Sequence, residues 1–258
     1  MRNIFAVAGV VLKELYRRKD FYVLFIITIL ICVVMASVNI FNDAKIVRYL
    51  KEICLLLVWL SSLVIAITTT ARQIPAEREN RTLLPLLAKP LTRPQLIIGK
   101  FLGCWLACGL TLLCFYVFFG ALSASREHQW PLLNYFQTAT LHWFMLGIIV
   151  AMTLLGSLVF AAPSSTSTIC FVVVGGILFV GRHLDQVALT LHEPLRAIVN
   201  ALYFTIPHLE FYDLRDLVIH NWPLIPWLYF ALALLYALGY MGVFLTGACL
   251  VFSRKAVN

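Results

Sequence analysis

Long apolar runs alternate with short polar segments along the whole chain, and this alternation is its dominant pattern. Crossing the roughly 30 Å hydrocarbon core of a bilayer takes about 20 mostly apolar residues in an α-helix. Six runs approach or exceed that length, and the shortest carries the pair Gly175-Gly176. The pattern therefore predicts an all-α membrane protein with six transmembrane helices, at residues 21–41, 53–71, 96–122, 139–162, 167–181 and 224–252.

Two further segments have helical periodicity but lie outside these runs. The pattern of residues 3–19 predicts an interfacial helix along the inner membrane surface. Apolar residues recur there at helical spacing, at Ile4, Ala8, Val11 and Leu15. A simple positively charged flank is the alternative. Residues 184–220, between the fifth and sixth spans, predict short outer helices that are re-entrant or interfacial, and Pro194 divides them.

A charged island, residues 72–100, separates the second and third spans and reads RQIPAERENRTLLPLLAKPLTRPQLIIGK. Pro75 suits the first turn of a helix, and the residue before Pro90 is disfavoured in the helical conformation. The pattern predicts a cytoplasmic helix over 76–88, and a capping box at 92–95 that starts the third span. A solvated loop that only fixes the topology is the alternative, although it does not account for the helical pattern.

Loop charge sets the expected orientation. The chain is 62% hydrophobic with a mean hydropathy of +0.91 and a formal net charge of +8. If both termini are cytoplasmic, the inner segments carry 13 of the 20 Lys and Arg residues and the outer loops carry 7. Basic residues concentrate on the cytoplasmic side of membrane proteins, so we expect this orientation. The positive charge then reflects membrane topology, and no nucleic-acid partner is expected.

The chain offers little chemistry of its own. No predicted span carries a pair of ionisable groups, which disfavours a proton or ion path, and His142 inside the fourth span is interpreted as a hydrogen-bonded packing residue. The seven cysteines fall in predicted spans and are interpreted as apolar packing residues, and no His or acidic residue joins the i, i+4 pair Cys104 and Cys108. The polar cluster at 208–216 is interpreted as a solvated outer surface. No nucleotide-binding or hydrolase motif occurs. We expect no catalytic residue, no metal and no cofactor on this chain.

This arrangement resembles the permease subunit of type-2 ATP-binding-cassette (ABC) exporters. The sequence AERENRTL at residues 76–83 resembles that family's E-x-x-x-x-T-L coupling segment. Residues 88–93 and the pair Gly99-Lys100 resemble the turn and the start of the third helix in the same family. Arg81 departs from the glycine that many members carry, which predicts a stiffer helix. By architecture the resemblance covers residues 1–258 as one transmembrane permease domain.

The resemblance implies a non-catalytic permease in the bacterial cytoplasmic (inner) membrane, paired with a second copy or a paralogue. Two cytoplasmic ABC ATPase subunits would dock on it and would hold ATP and magnesium. The residues expected to couple to them are Glu77, Arg78, Glu79, Arg81, Thr82, Leu83 and Leu86. An accessory protein in the periplasm or the membrane is left open.

The substrate pathway is expected along the second span, where hydroxyl side chains supply polar but uncharged groups, at Ser61, Ser62, Thr68, Thr69 and Thr70. An uncharged pathway suits an amphiphilic or hydrophobic substrate. The alternative is a mechanotransmitting or scaffolding subunit that moves no cargo. The sequence leaves open the substrate, the partners, the choice between homodimer and heterodimer, and whether the fifth span crosses fully.

Overall fold

The structure, a computed structural model, describes residues 2–17, 22, 26–31, 33, 44–79, 92–127, 131–160, 162–190 and 192–254. These residues are almost entirely helical and contain no strand. The helices are α1 Arg2–Tyr16, α2 Ala44–Ala71, α3 Pro75–Glu79, α4 Arg93–Glu127, α5 Leu132–Val159, α6 Pro163–Thr190, α7 Leu195–Thr205, α8 Arg215–Ile219 and α9 Trp227–Arg254, with a 3₁₀ turn at Leu209–Tyr212.

Five of the described helices, α2, α4, α5, α6 and α9, are long and apolar enough to cross a membrane. The chain is therefore a multi-pass, all-helical membrane protein. The predicted first span, 21–41, falls mostly outside the described residues, although residues 22, 26–31 and 33 are helical. Helices α2, α4 and α6 extend beyond the spans predicted at 53–71, 96–122 and 167–181, because polar residues continue a helix beyond its apolar part. By contrast, the span predicted at 139–162 ends later than α5, and the span predicted at 224–252 begins earlier than α9.

Two of these differences change how residues outside the predicted spans are interpreted. Helix α6 continues to Thr190, so residues 184–190 belong to this long helix and the separate helix expected from 184 begins only at Leu195. Lys51, which precedes the span predicted at 53–71 and is one of the seven basic residues expected in outer loops, lies inside α2 and is 2% exposed. Both differences have one cause: a hydropathy pattern locates the hydrocarbon-length part of a helix and does not locate the helix ends.

Helix α5 is the centre of the bundle. In its apolar 18-residue stretch, 67% of the residues are buried. This helix packs against α2, α4, α6 and α9. The corresponding fractions are only 22% for α6 and 17% for α9. Large apolar side chains such as Val172, Phe179 and Leu235 are exposed on these two helices. The described residues therefore leave wide apolar faces on α6 and α9 uncovered.

Helix α1 packs closely against the first turns of α4. A Cβ placed on Gly99 would lie 2.7 Å from the Cβ of Val7, and one placed on Gly103 would lie 2.6 Å from the Cβ of Val11. Both contacts advance by one turn on each helix, so the two helices run side by side in the same direction. Glycines spaced in this way allow two membrane helices to approach closely. The interfacial placement expected for this helix stays a prediction.

Hydrogen bonds define the two ends of the bundle. At one end, the Arg93 guanidinium donates to the carbonyls of Phe252 and Ser253, at 3.1 and 2.8 Å, and joins the start of α4 to the end of α9. At the other end, the Gln137 side chain exchanges two hydrogen bonds with the backbone of Ile225, at 3.0 and 3.1 Å. The charged island begins at the first end, and the segment between α7 and α9 caps the second.

Candidate coupling site

The centre of the candidate site is the ammonium group of Lys100, on α4. It donates to the backbone carbonyl of Gln73 at 2.9 Å and to the Gln73 side-chain Oε1 at 3.3 Å, and it forms a salt bridge with Glu77 Oε1 at 2.7 Å. An ammonium group has three N–H donors, and these three acceptors match them. We call Lys100, Gln73 and Glu77 the lysine clasp.

The clasp is buried on the α4 side and partly open on the α3 side. The side chain of Lys100 is 2% exposed and that of Glu77 is 21% exposed. Lys100 lies seven residues into α4, roughly 10 Å along the helix axis. A buried charge in a membrane protein is costly unless it is paired and hydrogen-bonded. The three acceptors satisfy that requirement and fix the position of the turn between α2 and α3.

Local sequence explains why the acceptors meet Lys100. Helix α2 ends at Ala71, and a turn at 72–74 with buried Gln73 and Ile74 leads into α3, which starts at Pro75. Helix α4 starts at Arg93, and the Thr92 backbone N–H donates to Gln95 Oε1 at 3.2 Å. This bond is the glutamine half of the capping box expected at 92–95.

The predicted coupling residues fall into two groups. Glu77, Arg78 and Glu79 lie on α3, where Glu77 faces Lys100, Arg78 is half-buried and Glu79 is exposed. The other four, Arg81, Thr82, Leu83 and Leu86, belong to residues 80–91, outside the described part of the chain. The structure therefore describes the start of the predicted 76–88 helix and shows that one of its acidic residues is bound to the third span.

The predicted pathway residues do not share one environment. Ser62 and Thr70 are buried within the chain, whereas Ser61, Thr68 and Thr69 are half-buried. Thr68 and Thr69 donate to the α2 carbonyls of Val64 and Ile65, at 2.7 and 2.6 Å. Ser61 is 2.6 Å from the hydroxyl of Thr28. Only the half-buried three present a surface that a pathway outside this chain's core could use.

His142 is hydrogen-bonded inside the bundle, as expected from the sequence. Its Nε2 lies 2.9 Å from Ser62 Oγ on α2, and its Nδ1 lies 3.5 Å from the hydroxyl of Tyr116 on α4. His142 itself is on α5 and is 3% exposed. One imidazole therefore joins three helices, which is the contribution of a packing residue.

Hydrogen bonds and a cation–π contact hold the polar cluster at 208–216 in place. Arg215 donates from Nε and Nη2 to the two carboxylate oxygens of Asp213, both at 2.7 Å, and its guanidinium lies 5.1 Å from the ring centroid of Trp59. Burial alone would raise the pKa of Asp213, but the hydrogen bonds and charge of Arg215 outweigh it and hold that pKa below its usual value. The pair anchors the cap to α2.

Sequence reasoning missed the clasp, although one signal pointed to it and a second pointed to the helix contact beside it. Lys100 is the single charge that interrupts the apolar run 96–122, and a lone buried charge requires a partner. Gly99 and Gly103 form a G-x-x-x-G pattern, which marks a close helix contact. Neither signal names the partner, because Glu77 and Gln73 are more than 20 residues away and across an unpredicted turn.

Comparison with known families agrees with this architecture. A family profile described as ABC-2 family transporter protein matches residues 6–257, nearly the whole chain. The chain belongs to the ABC-2 family of transporter proteins and is an ABC transporter permease, the membrane subunit of a complex whose ATPase activity lies on partner subunits. No curated protein matches the chain in sequence.

Proposed function

We propose that this chain pairs with a second permease chain, a copy or a paralogue, and that two cytoplasmic ABC ATPases drive the pair through residues 76–88. The observation that carries the proposal is the position of α3. This charged helix lies at one end of the bundle and follows α2 after the turn at 72–74, and Lys100 holds it against α4. A partner that docks there would act on two membrane-spanning helices at once.

The ATPase would contact the outward residues of this segment. Arg78 and Glu79 offer charges of both signs for charge-assisted hydrogen bonds. Beyond them, Arg81 and Thr82 would extend the polar contact, and the apolar pair Leu83 and Leu86 would anchor it, as the sequence pattern indicates. The excess of basic residues in the segments at this end supports a cytoplasmic location in a bacterial inner membrane.

The second permease chain is supported by the apolar faces of α6 and α9, which the described part of this chain leaves poorly covered. On α2, Ser61, Thr68 and Thr69 are spaced so that they lie on one side of the helix, and all three are half-buried. Their hydroxyls are already hydrogen-bonded within this chain, so this side of α2 would offer a pathway an uncharged surface of low polarity. Such a surface suits export of an amphiphilic or hydrophobic substrate, such as a lipid or a hydrophobic peptide.

The test is affinity purification of the tagged chain from detergent-solubilised native membranes, followed by an ATPase assay of the eluate. We expect an ATPase subunit in stoichiometric amount, and its loss in the charge-neutral double variant Arg78→Ala/Glu79→Ala. The matched control is Glu193→Ala/Arg196→Ala, which removes an exposed acid and base at the other end of the bundle. Recovery of the chain without an ATPase partner would contradict the proposal.

A transport assay on the same complex, reconstituted in vesicles, distinguishes an exporter from a force-transmitting subunit. ATP-dependent movement of a fluorescent phospholipid or a hydrophobic dye between the leaflets supports an exporter of amphiphiles. ATP hydrolysis without movement of either probe would contradict that substrate class and would favour the mechanotransmitting subunit.

A further inference from the structure

We infer that the lysine clasp is the connection through which motion of the ATPase-docking segment reaches the third span, so that Glu77 is a positioning residue that acts through Lys100. The inference rests on the proposed function and deepens it. It assigns roles to Lys100 and Gln73, which neither the sequence pattern nor the family match assigns, and it changes the role of Glu77 from an ATPase contact to an internal link.

The direction of the Glu77 side chain is the first argument. Its neighbour Glu79 on α3 is exposed and available to a soluble partner, whereas the Glu77 carboxylate is half-buried and is bound to an ammonium that is 2% exposed. A carboxylate that is held by a buried cation is a poor surface contact for another protein. It is well placed to carry a displacement of α3 to the residue that binds it.

The second argument is the completeness of the connection. Lys100 also donates hydrogen bonds to both the backbone carbonyl and the side-chain oxygen of Gln73. The turn between α2 and α3 is therefore attached to α4 at one point. The covalent route from α3 to α4 runs through twelve further residues, 80–91, before the chain reaches Thr92. The clasp bypasses that linker with three polar contacts in a buried site, where such contacts are strong.

The third argument is what lies behind Lys100. Its neighbour Gly99 contacts Val7, and Gly103 one turn later contacts Val11, so α1 is locked against the same turns of α4. The turn 72–74, α3, α4 and α1 are thus joined around residues 99–103. Motion imposed on α3 would move α4 and α1 as one unit.

The test uses the full complex with its ATPase in a background where Cys114 is the single cysteine. Cys114 is exposed on α4, and an environment-sensitive fluorophore placed there reports the motion of this helix when ATP is added. The variants are Lys100→Met, Glu77→Gln, both together, and the charge reversal Lys100→Glu/Glu77→Lys. The matched control is Arg254→Met, an exposed basic residue at the same end of the bundle.

We expect each single variant to retain the ATPase subunit and to reduce the ATP-dependent fluorescence change on the order of tenfold. The double variant should be no worse than the poorer single variant. Charge reversal should restore only part of the response, because it returns the ion pair but a carboxylate at residue 100 cannot donate to the Gln73 carbonyl. Glu77→Gln conserves side-chain volume, so it carries the test if Lys100→Met does not reach the membrane.

Two results would overturn the inference while leaving the proposed function intact. One is a full response in Lys100→Met. The other is additivity, in which the double variant loses the product of the two single losses, because Glu77 would then act through a different contact. A natural chain that recruits no ATPase would instead contradict the proposed function itself.

Discussion

Trp105 and Trp143 each donate an indole N–H to the backbone carbonyl of the other, at 3.0 and 2.9 Å. Their rings are stacked with centroids 4.6 Å apart. Each ring also covers the glycine one turn beyond the other tryptophan: a Cβ on Gly109 would lie 2.6 Å from Nε1 of Trp143, and a Cβ on Gly147 would lie 2.8 Å from Nε1 of Trp105. The same W-x-x-x-G pattern on α4 and α5 therefore builds a reciprocal contact between them.

Removal of both indole donors should destabilise the bundle. The variant Trp105→Phe/Trp143→Phe loses two hydrogen bonds, which together contribute about 2 kcal/mol. The midpoint of thermal unfolding in detergent should fall by about 4–8 °C for a chain of this size. Trp227→Phe is the control, since Trp227 is 55% exposed. An equal fall in both variants would mean that the reciprocal bonds add no stability.

Substitution of glycine by alanine should shift the midpoint of thermal unfolding in opposite directions at Gly103 and Gly239. Gly103→Ala places a Cβ against Val11 and should lower the unfolding midpoint, because α1 must move away from α4. A Cβ added at Gly239 would meet no atom of the described residues within 4 Å. Gly239→Ala should therefore raise the midpoint slightly, because alanine is more favourable than glycine inside a helix by up to about 1 kcal/mol. Thermal unfolding of the two variants side by side checks this, and equal signs would refute the close contact.

The Asp213–Arg215 pair should show a defined dependence on pH. Because the folded-state pKa of Asp213 is depressed, the pair stabilises fully above the usual aspartate pKa of about 3.9 and loses this contribution as pH falls through the lower, folded-state value. Asp213→Asn should therefore cost about 1 kcal/mol at pH 7, measured by denaturant unfolding, and the difference from the natural chain should disappear only under strongly acidic conditions. Asp216→Asn, at an exposed position on α8, is the control.

Removal of the Ser62 hydroxyl should lower the free energy of unfolding of the protein. Ser62→Ala leaves the Nε2 of buried His142 without this bond, which costs about 1–3 kcal/mol. Ser165 is exposed at the start of α6, so Ser165→Ala should change stability little. Chemical unfolding of both variants distinguishes them. A negligible effect of Ser62→Ala would show that water or another group replaces the hydroxyl.

Sequence reasoning succeeded where the chemistry is local. The start of the third membrane helix at residue 93 follows from Pro90, Thr92 and Gln95, which lie within a few residues of the boundary. The expectation of a hydrogen-bonded His142 is confirmed because a lone intramembrane histidine must find partners, whichever they are. The family assignment, inferred from the AERENRTL segment and the order of the apolar runs, is confirmed by the family profile that matches residues 6–257.

Sequence reasoning failed where partners lie far apart along the chain. A charge in a short polar segment resembles a loop residue, and Lys51 is such a charge, yet α2 extends through it and buries it. The clasp joins Lys100 to Gln73 and Glu77 through a turn whose path depends on the packing of α2 against α4. Periodicity identifies the face of a helix but does not identify which distant residue meets that face.

The contact between α1 and α4 also sets an order on how the protein is made. Helix α1 precedes α4 in the chain by more than seventy residues, and the glycines that receive Val7 and Val11 do not exist until α4 has been synthesised. At about 5–20 residues per second, translation leaves the buried face of α1 without its native partner for several seconds. During that interval the bilayer surface or an insertion factor must shelter this face, and α1 reaches its final position only after the third span is inserted.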